Sequence, residues 1–160
     1  MPTPYAQYVG NRDPVDVLQE SLEEYRQSIA PFSSDTWRAP WAPGKWTMRQ
    51  IVVHVTQWEL IFCVRLRCAL AVPDYEVQPF EQDPFMAEAD AVDGPTAFAA
   101  FDAMRRMNLA FARSLTAADR ARGVDHPERG RIDVNDLLVT LAGHPVHHLQ
   151  QIKQFMTSQA

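Results

Sequence analysis

The chain has 160 residues, 46% of them hydrophobic and 22% charged, and carries a net charge of −5. That length suits one domain with a real core, and that apolar share excludes a disordered chain. Lys and Arg form no block, which excludes the basic footprint of a phosphate-backbone surface and makes nucleic acid an unexpected partner.

The N-terminal MPTPYAQYVGNRDP lacks the basic-then-apolar order of a signal peptide. The first predicted helix covers 14–32. Asp13 is its N-cap, Pro14 suits the first helical position, and Val15, Leu18, Leu22, Tyr25 and Ile29 repeat at +3/+4 spacing. A Pro- and Trp-rich connection containing PWAPGKW follows. It ends in a start signal, because Thr47 with Gln50 three residues later reads as a capping box, with Trp46 and Ile51 as a hydrophobic staple.

The second predicted helix runs to about residue 71, where Pro73 stops it. Its apolar run is interrupted by His54, Gln57, Glu59, Arg65 and Arg67, so no membrane span is expected. Cys63 and Cys68 on this helix are about 140° apart around the axis, which keeps them from pairing or chelating together. A reduced, cytoplasmic setting is the expectation. Residues 73–95 then form a connection with four prolines, seven acidic side chains and no Lys or Arg. A loop of that length reads as a lid or cleft wall with a short helix near 84–90, or as a solvated acidic face.

The third predicted helix starts near Pro95 and carries Ala97, Phe101, Met104, Phe111 and Leu115 on one stripe, with Asn108 among them. Asn108 is expected to be a buried polar residue with a backbone partner. The fourth is entered after Gly130 with Asp133 as N-cap and Ile132 and Leu137 as a second staple. No strand alternation, repeat or second domain is visible. The expected fold class is therefore all-α, a single-domain four-helix bundle over 1–160 with a long acidic, Pro-rich connection between helices two and three.

Three of the five histidines fall at core or boundary positions. His54 lies about 60° from Ile51 and about 80° from Phe62, at the edge of the buried stripe. His144 and His148 are one turn apart and offset by about 40°, the spacing that brings two imidazoles onto one metal. The same trio can equally be hydrogen-bonded core histidines. Pro145 weighs against the site, since it removes a helical donor and biases His144 away from the helix. His147 points away from the inner stripe, and His126 reads as a turn residue. Gln57, Trp58 and Gln151 are placed by helical spacing to orient a histidine or wall the pocket, their plainer roles being surface amides and core packing. Glu59, about 140° around from His54, reads as a structural residue pairing with another helix.

Together, PGKWTMRQIVVHVTQWE (43–59), RLR (65–67) and HPERGRIDVNDLLVTLAGHPVHHLQQI (126–152) resemble the DinB-like superfamily with its YfiT-type members. The pattern is Pro-Gly-Lys-Trp-Ser/Thr opening helix two, a His one turn into it, and His-x-x-x-His on helix four. This chain departs from it at Gln57, where an acidic residue is common, and at Pro145. The resemblance implies a four-helix bundle, often a homodimer, holding one divalent transition metal on three histidines, which fall here on His54, His144 and His148. Zn or Ni suits such a site best. Three imidazoles leave coordination positions open, as a catalytic site requires. The resemblance therefore implies a metal-dependent thiol S-transferase or hydrolase acting on a small molecule, with a low-molecular-weight thiol as one candidate. The alternative is a non-enzymatic, stress-linked helical module for binding or dimerisation.

Overall fold

The computed structural model describes residues 3–87 and 89–159. In chain order its elements are α1 (Ala6–Val9), α2 (Pro14–Ile29), α3 (Ser34–Arg38), α4 (Met48–Ala71), α5 (Gln82–Met86), a 3-10 turn (Ala89–Ala91), α6 (Gly94–Ser114), α7 (Ala117–Arg120), β1 (Gly123–His126), β2 (Gly130–Asp133) and α8 (Val134–Ser158). The four long helices α2, α4, α6 and α8 form the bundle. Around its axis α2 packs on α6, α6 on α4, α4 on α8, and α8 back on α2. Helices α2 and α4, consecutive in the bundle sequence, therefore occupy a diagonal.

The predicted caps are in place. Asp13 accepts a hydrogen bond from the Val15 amide at 2.8 Å. Thr47 Oγ1 accepts from the Gln50 amide at 3.2 Å, while Gln50 Oε1 accepts from the Thr47 amide at 3.0 Å. Asp133 and Asp136 make the same reciprocal pair at the start of α8. Such caps satisfy amides that an isolated first turn leaves without partners.

The core divides in two along the bundle. One half gathers Leu18, Phe62, Leu66, Leu137, Leu138 and Leu141, the other Tyr25, Met48, Ile51, Phe101, Leu149 and Ile152. Each of these is essentially removed from water, a contribution of about 1.5–3 kcal/mol per large side chain before chain entropy is set against it. Between α4 and α6 lies a fully buried ion pair. Arg105 Nη2 donates to Glu59 Oε1 at 2.6 Å and Nε to the same oxygen at 2.9 Å. Arg105 Nη1 also reaches Ser21 Oγ at 2.8 Å and the Leu18 carbonyl at 3.1 Å. Asn108 Nδ2 donates to Glu59 Oε2 at 2.9 Å and to its carbonyl at 3.0 Å. The expected structural roles of Glu59 and Asn108 are thus one network that ties α2, α4 and α6 together.

The structure corrects the sequence reading in two places. The segment before α8 is not strand-free, since β1 and β2 pair antiparallel with Val124 opposite Ile132 and His126 opposite Gly130. Strands of four residues are too short for alternation to register in the sequence. The first bundle helix ends at Ile29 rather than Phe32. Pro145, which weighed against the His144–His148 pair in the sequence, lies inside α8, which continues through it to Ser158. Tyr25 Oη donates to the Pro145 carbonyl at 2.8 Å, anchoring that turn to α2. Among the described residues no helix is long and apolar enough to cross a membrane.

Candidate metal centre

Helix α4 supplies His54 and helix α8 supplies His144 and His148. Their exposures are 1%, 2% and 7%. Because α4 and α8 are neighbours, the three rings meet. His144 Nε2 lies 3.0 Å from His54 Nε2 and 3.1 Å from His148 Nε2. The rings stand edge to face, at 69°, 77° and 74° to one another, so each directs one edge to a common point.

That geometry fits a metal ion. Imidazole nitrogens at about 2.0–2.1 Å from a metal are about 2.9–3.4 Å from each other in octahedral or tetrahedral arrangements. Hydrogen bonding alone accounts poorly for the cluster, since among the described residues no carboxylate joins it and the Nδ1 atoms of His54 and His144 are buried without partners. His148 differs, for its Nδ1 is 2.8 Å from Gln151 Oε1. An amide oxygen only accepts, so His148 carries its proton on Nδ1 and keeps a lone pair on Nε2. Burial holds all three imidazoles neutral, lowering His54 to about 4 and His148 to about 3, and pushing His144 well below its ordinary value. A neutral imidazole is the ligating form.

Aromatic rings fix the other two histidines. Trp58, one turn after His54, stacks on His144 with centroids 3.9 Å apart and planes at 22°. Trp46, expected only as a staple residue, covers His54 at 5.0 Å and lies parallel to His148 at 6.3 Å. Tyr5 meets the His144 edge at 4.9 Å. It can do so because position 143 is glycine. A Cβ there would sit 2.4 Å from the Tyr5 carbonyl oxygen.

Gln151 and Trp58 thus touch the histidines, but Gln57 does not. Its Nε2 donates to the Phe85 carbonyl at 2.7 Å, so this amide ties α4 to the connection instead of orienting His54. The connection forms one wall of the site, with the Phe80 ring parallel to His54 at 6.5 Å. His147 takes no part in the cluster, and its Nδ1 is 2.7 Å from Tyr8 Oη. His144, His147, His148 and Gln151 open onto a cavity of about 360 Å³ walled by Tyr5, Trp41, Trp46, Lys45 and Gln82. The sequence reading missed Tyr5 and Tyr8. Tyr5 precedes and Tyr8 lies within a helix of four residues, too short to show a period.

The chemistry available follows from the donor set. Three neutral donors, with no carboxylate in the cavity wall among the described residues, would leave a divalent ion's full charge for whatever binds in the open positions.

Comparison with known proteins agrees with this picture. The model of the DinB superfamily matches residues 18–152. A relative from Bacillus pumilus (strain SAFR-032), named "Putative metal-dependent hydrolase", is 24% identical over 145 residues, covering 89% of this chain and 82% of its own. "Putative metal-dependent hydrolase YfiT" from Bacillus subtilis (strain 168) is 22% identical over 143 residues, covering 88% and 80%. The solved structure of YfiT, described as a probable metal-dependent hydrolase with an unusual four-helix bundle topology, superposes with a TM-score of 0.81. It is 21% identical and covers 91% of this chain and 85% of that one.

Proposed function

The chain belongs to the DinB superfamily, and from that premise we propose that it is a metal-dependent hydrolase of a small molecule, with His54, His144 and His148 as the metal ligands. The observation that carries the proposal is the convergence of three buried, neutral imidazole nitrogens within 4.8 Å of one another, beside an open cavity. Its relatives' names point the same way. A divalent ion held there supplies Lewis acidity, polarising a substrate carbonyl and making a water acidic near neutral pH.

The chain's own residues do the rest. His148 is kept in its ligating tautomer by Gln151, and His144 is clamped between Trp58 and Tyr5. Trp46 and Phe80 keep bulk water from the far side of His54. Among the described residues no carboxylate lines the cavity, so His147, oriented by the Tyr8 hydroxyl, is their one neutral imidazole base outside the cluster. Zn or Ni is the ion we assign, as both accept imidazole.

The neutral donor set favours a second substrate class at the same centre. With no anionic ligand and with Lys45 in the cavity wall, a low-molecular-weight thiol is stabilised as its thiolate, which makes S-transfer to an electrophile the second reading. The homodimer implied by the resemblance belongs to this proposal as well, and sedimentation of the loaded protein measures it.

The test is chelation and reloading. Protein stripped of metal should lose, and Zn- or Ni-loaded protein regain, turnover of p-nitrophenyl acetate, or of cysteine with chlorodinitrobenzene under the second reading. His148→Ala should drop the metal content from near one per chain towards zero. Full metal occupancy in that variant refutes the ligand assignment, and a loaded protein without either turnover is a non-enzymatic binding module.

A further inference from the structure

A second cavity of about 240 Å³ lies on the other side of Trp58 and Tyr5 from the histidine cluster. Its walls are aromatic, with Trp58 4.7 Å from Phe62 and 5.9 Å from Phe80 by ring centroid. Two guanidiniums line it. Arg65, on α4, is 7% exposed, yet among the described residues no carboxylate stands within salt-bridge distance of it. Its Nη2 is spent on the Gln78 carbonyl, and its Nε is buried with no partner. Arg129, in the hairpin turn, has a side chain 9% exposed. Its nearest acid is Asp136 at 3.8 Å, a carboxylate already engaged by Thr3 and the Asp133 amide. The Arg129 Nε is likewise buried without a partner. Glu128 is the cavity's one acid and faces solvent, paired with neither arginine.

A buried cation without a counter-ion is costly to the fold, and Arg65 is one; Arg129 beside it has only a long ion pair to a carboxylate that others already engage, so the two together leave a demand for an anion. The net positive field is felt at His126 on the same wall, where burial first, then Arg129 and Arg65, hold the imidazole below its ordinary value against the smaller opposing effect of Glu128. Planar guanidiniums match the two oxygens of a carboxylate, and the aromatic walls suit a flat apolar body attached to it. At about 240 Å³ the space is below the range of drug-sized pockets, which limits the guest to a small molecule.

We infer that this cavity is a binding subsite for a small organic carboxylate, gripped by Arg65 and Arg129 against Trp58, Phe62 and Phe80. Trp58 is both its wall and the plate behind His144, and Tyr5 lines both cavities, so an acid held here sits next to the metal centre across these two rings. Any part the bound carboxylate plays in substrate binding rests on the hydrolase reading; binding of the anion itself does not.

Calorimetric titration of the full chain with benzoate, in metal-free and Zn-loaded forms, tests the subsite. Benzoate should bind saturably to both, with benzyl alcohol, the neutral counterpart, at least about ten-fold weaker. Arg129→Gln should weaken benzoate by about ten-fold or more, and Arg65→Gln by as much if it folds; Arg129→Lys should recover part of the loss. Equal binding of benzyl alcohol, or benzoate affinity unchanged in Arg129→Gln, overturns the proposal. So does benzoate that binds only the Zn-loaded form, which marks a metal ligand, and so does a preference for inorganic phosphate over benzoate. Metal content measured on the same samples keeps the two readings apart. A wild type that binds benzoate but no Zn sinks the hydrolase reading alone.

Discussion

The indole of Trp58 lies face to face with the imidazole of His144, centroids 3.9 Å apart and planes inclined by 22°. The contact matters because His144 Nδ1 has no hydrogen-bond partner among the described residues, so packing rather than a polar anchor sets its direction. Trp58→Ala frees the ring to rotate and admits water behind it. Zn affinity should fall about 10–100-fold, the usual effect of losing a group that orients a ligand, with Trp58→Phe close to wild type. Competition with a chelating dye measures it, and an unchanged affinity in Trp58→Ala shows that the stack does not position the ligand.

Gln151 offers the complementary case. Its Oε1 holds the Nδ1–H of His148 at 2.8 Å, and Gln151→Leu removes that acceptor while keeping the bulk. His148 can then swing or change tautomer, and Zn affinity should again drop about 10–100-fold. Gln151→Glu, which accepts more strongly, should retain or raise it. A leucine variant binding as tightly as wild type would mean that His148 needs no such support.

The Glu59–Arg105 pair predicts a stability effect separable from the metal site. Both side chains are fully buried, so Arg105→Met strands a carboxylate between α4 and α6. Urea melts of the metal-free protein should show a loss of about 3–5 kcal/mol, with the double variant Glu59→Leu/Arg105→Met recovering much of it. Zn content of the folded fraction should stay near one per chain. A single variant within about 1 kcal/mol of wild type contradicts a dry, unrelieved pair.

How much of this was legible in the sequence depended on range. Caps act over three residues, and Asp13, Thr47 with Gln50, and Asp133 all sit where the local pattern puts them. The spacing of His144 and His148 is likewise local to one helix. Their meeting with His54 needed the family pattern, because which helices are neighbours is not written in any one of them. Gln57 shows the limit. Helical spacing sets it near His54, but its hydrogen-bond partner, the Phe85 carbonyl, comes from a connection with no period to read. The arginines of the second cavity were hidden for the same reason, since Arg65 and Arg129 approach one space from α4 and from a hairpin whose strands are four residues long.

Gly143 carries a steric prediction. The residue is mid-helix, where alanine ordinarily stabilises by about 1 kcal/mol, but its Cβ would lie 2.4 Å from the Tyr5 carbonyl and 2.9 Å from Tyr5 Cβ. Tyr5 already holds a left-handed backbone, φ 60°, and has little freedom to retreat except by lifting α1 off α8. Gly143→Ala should therefore destabilise the chain and expose the N-terminal segment. Limited proteolysis before residue 14 should speed up relative to wild type. A variant that melts higher with an equally protected N-terminus would contradict this packing.

The pH dependence of the metal-free fold follows from the buried imidazoles. Unfolded histidine titrates near about 6.5, whereas His54 and His148 in the fold are lowered to about 4 and about 3 by burial, and His144 is lowered as well. Above pH of about 6.5 neither state binds these protons, and they contribute no slope. As pH falls from there towards about 3, the unfolded chain takes up protons that the fold refuses, so stability drops by up to about 1.4 kcal/mol per pH unit for each histidine. Urea midpoints for the metal-free wild type should fall little between pH 7.5 and 6.0 and more steeply between pH 6.0 and 5.0. His54→Leu, which deletes one of the refused protons, should show a shallower fall over the same interval. Bound Zn requires the neutral rings, so loaded protein should stay near its pH 7.5 stability until protons displace the ion, then lose it more steeply than the metal-free form. If the leucine variant and wild type lose stability in parallel between pH 7.5 and 5.0, the imidazole cluster is not what the acid attacks.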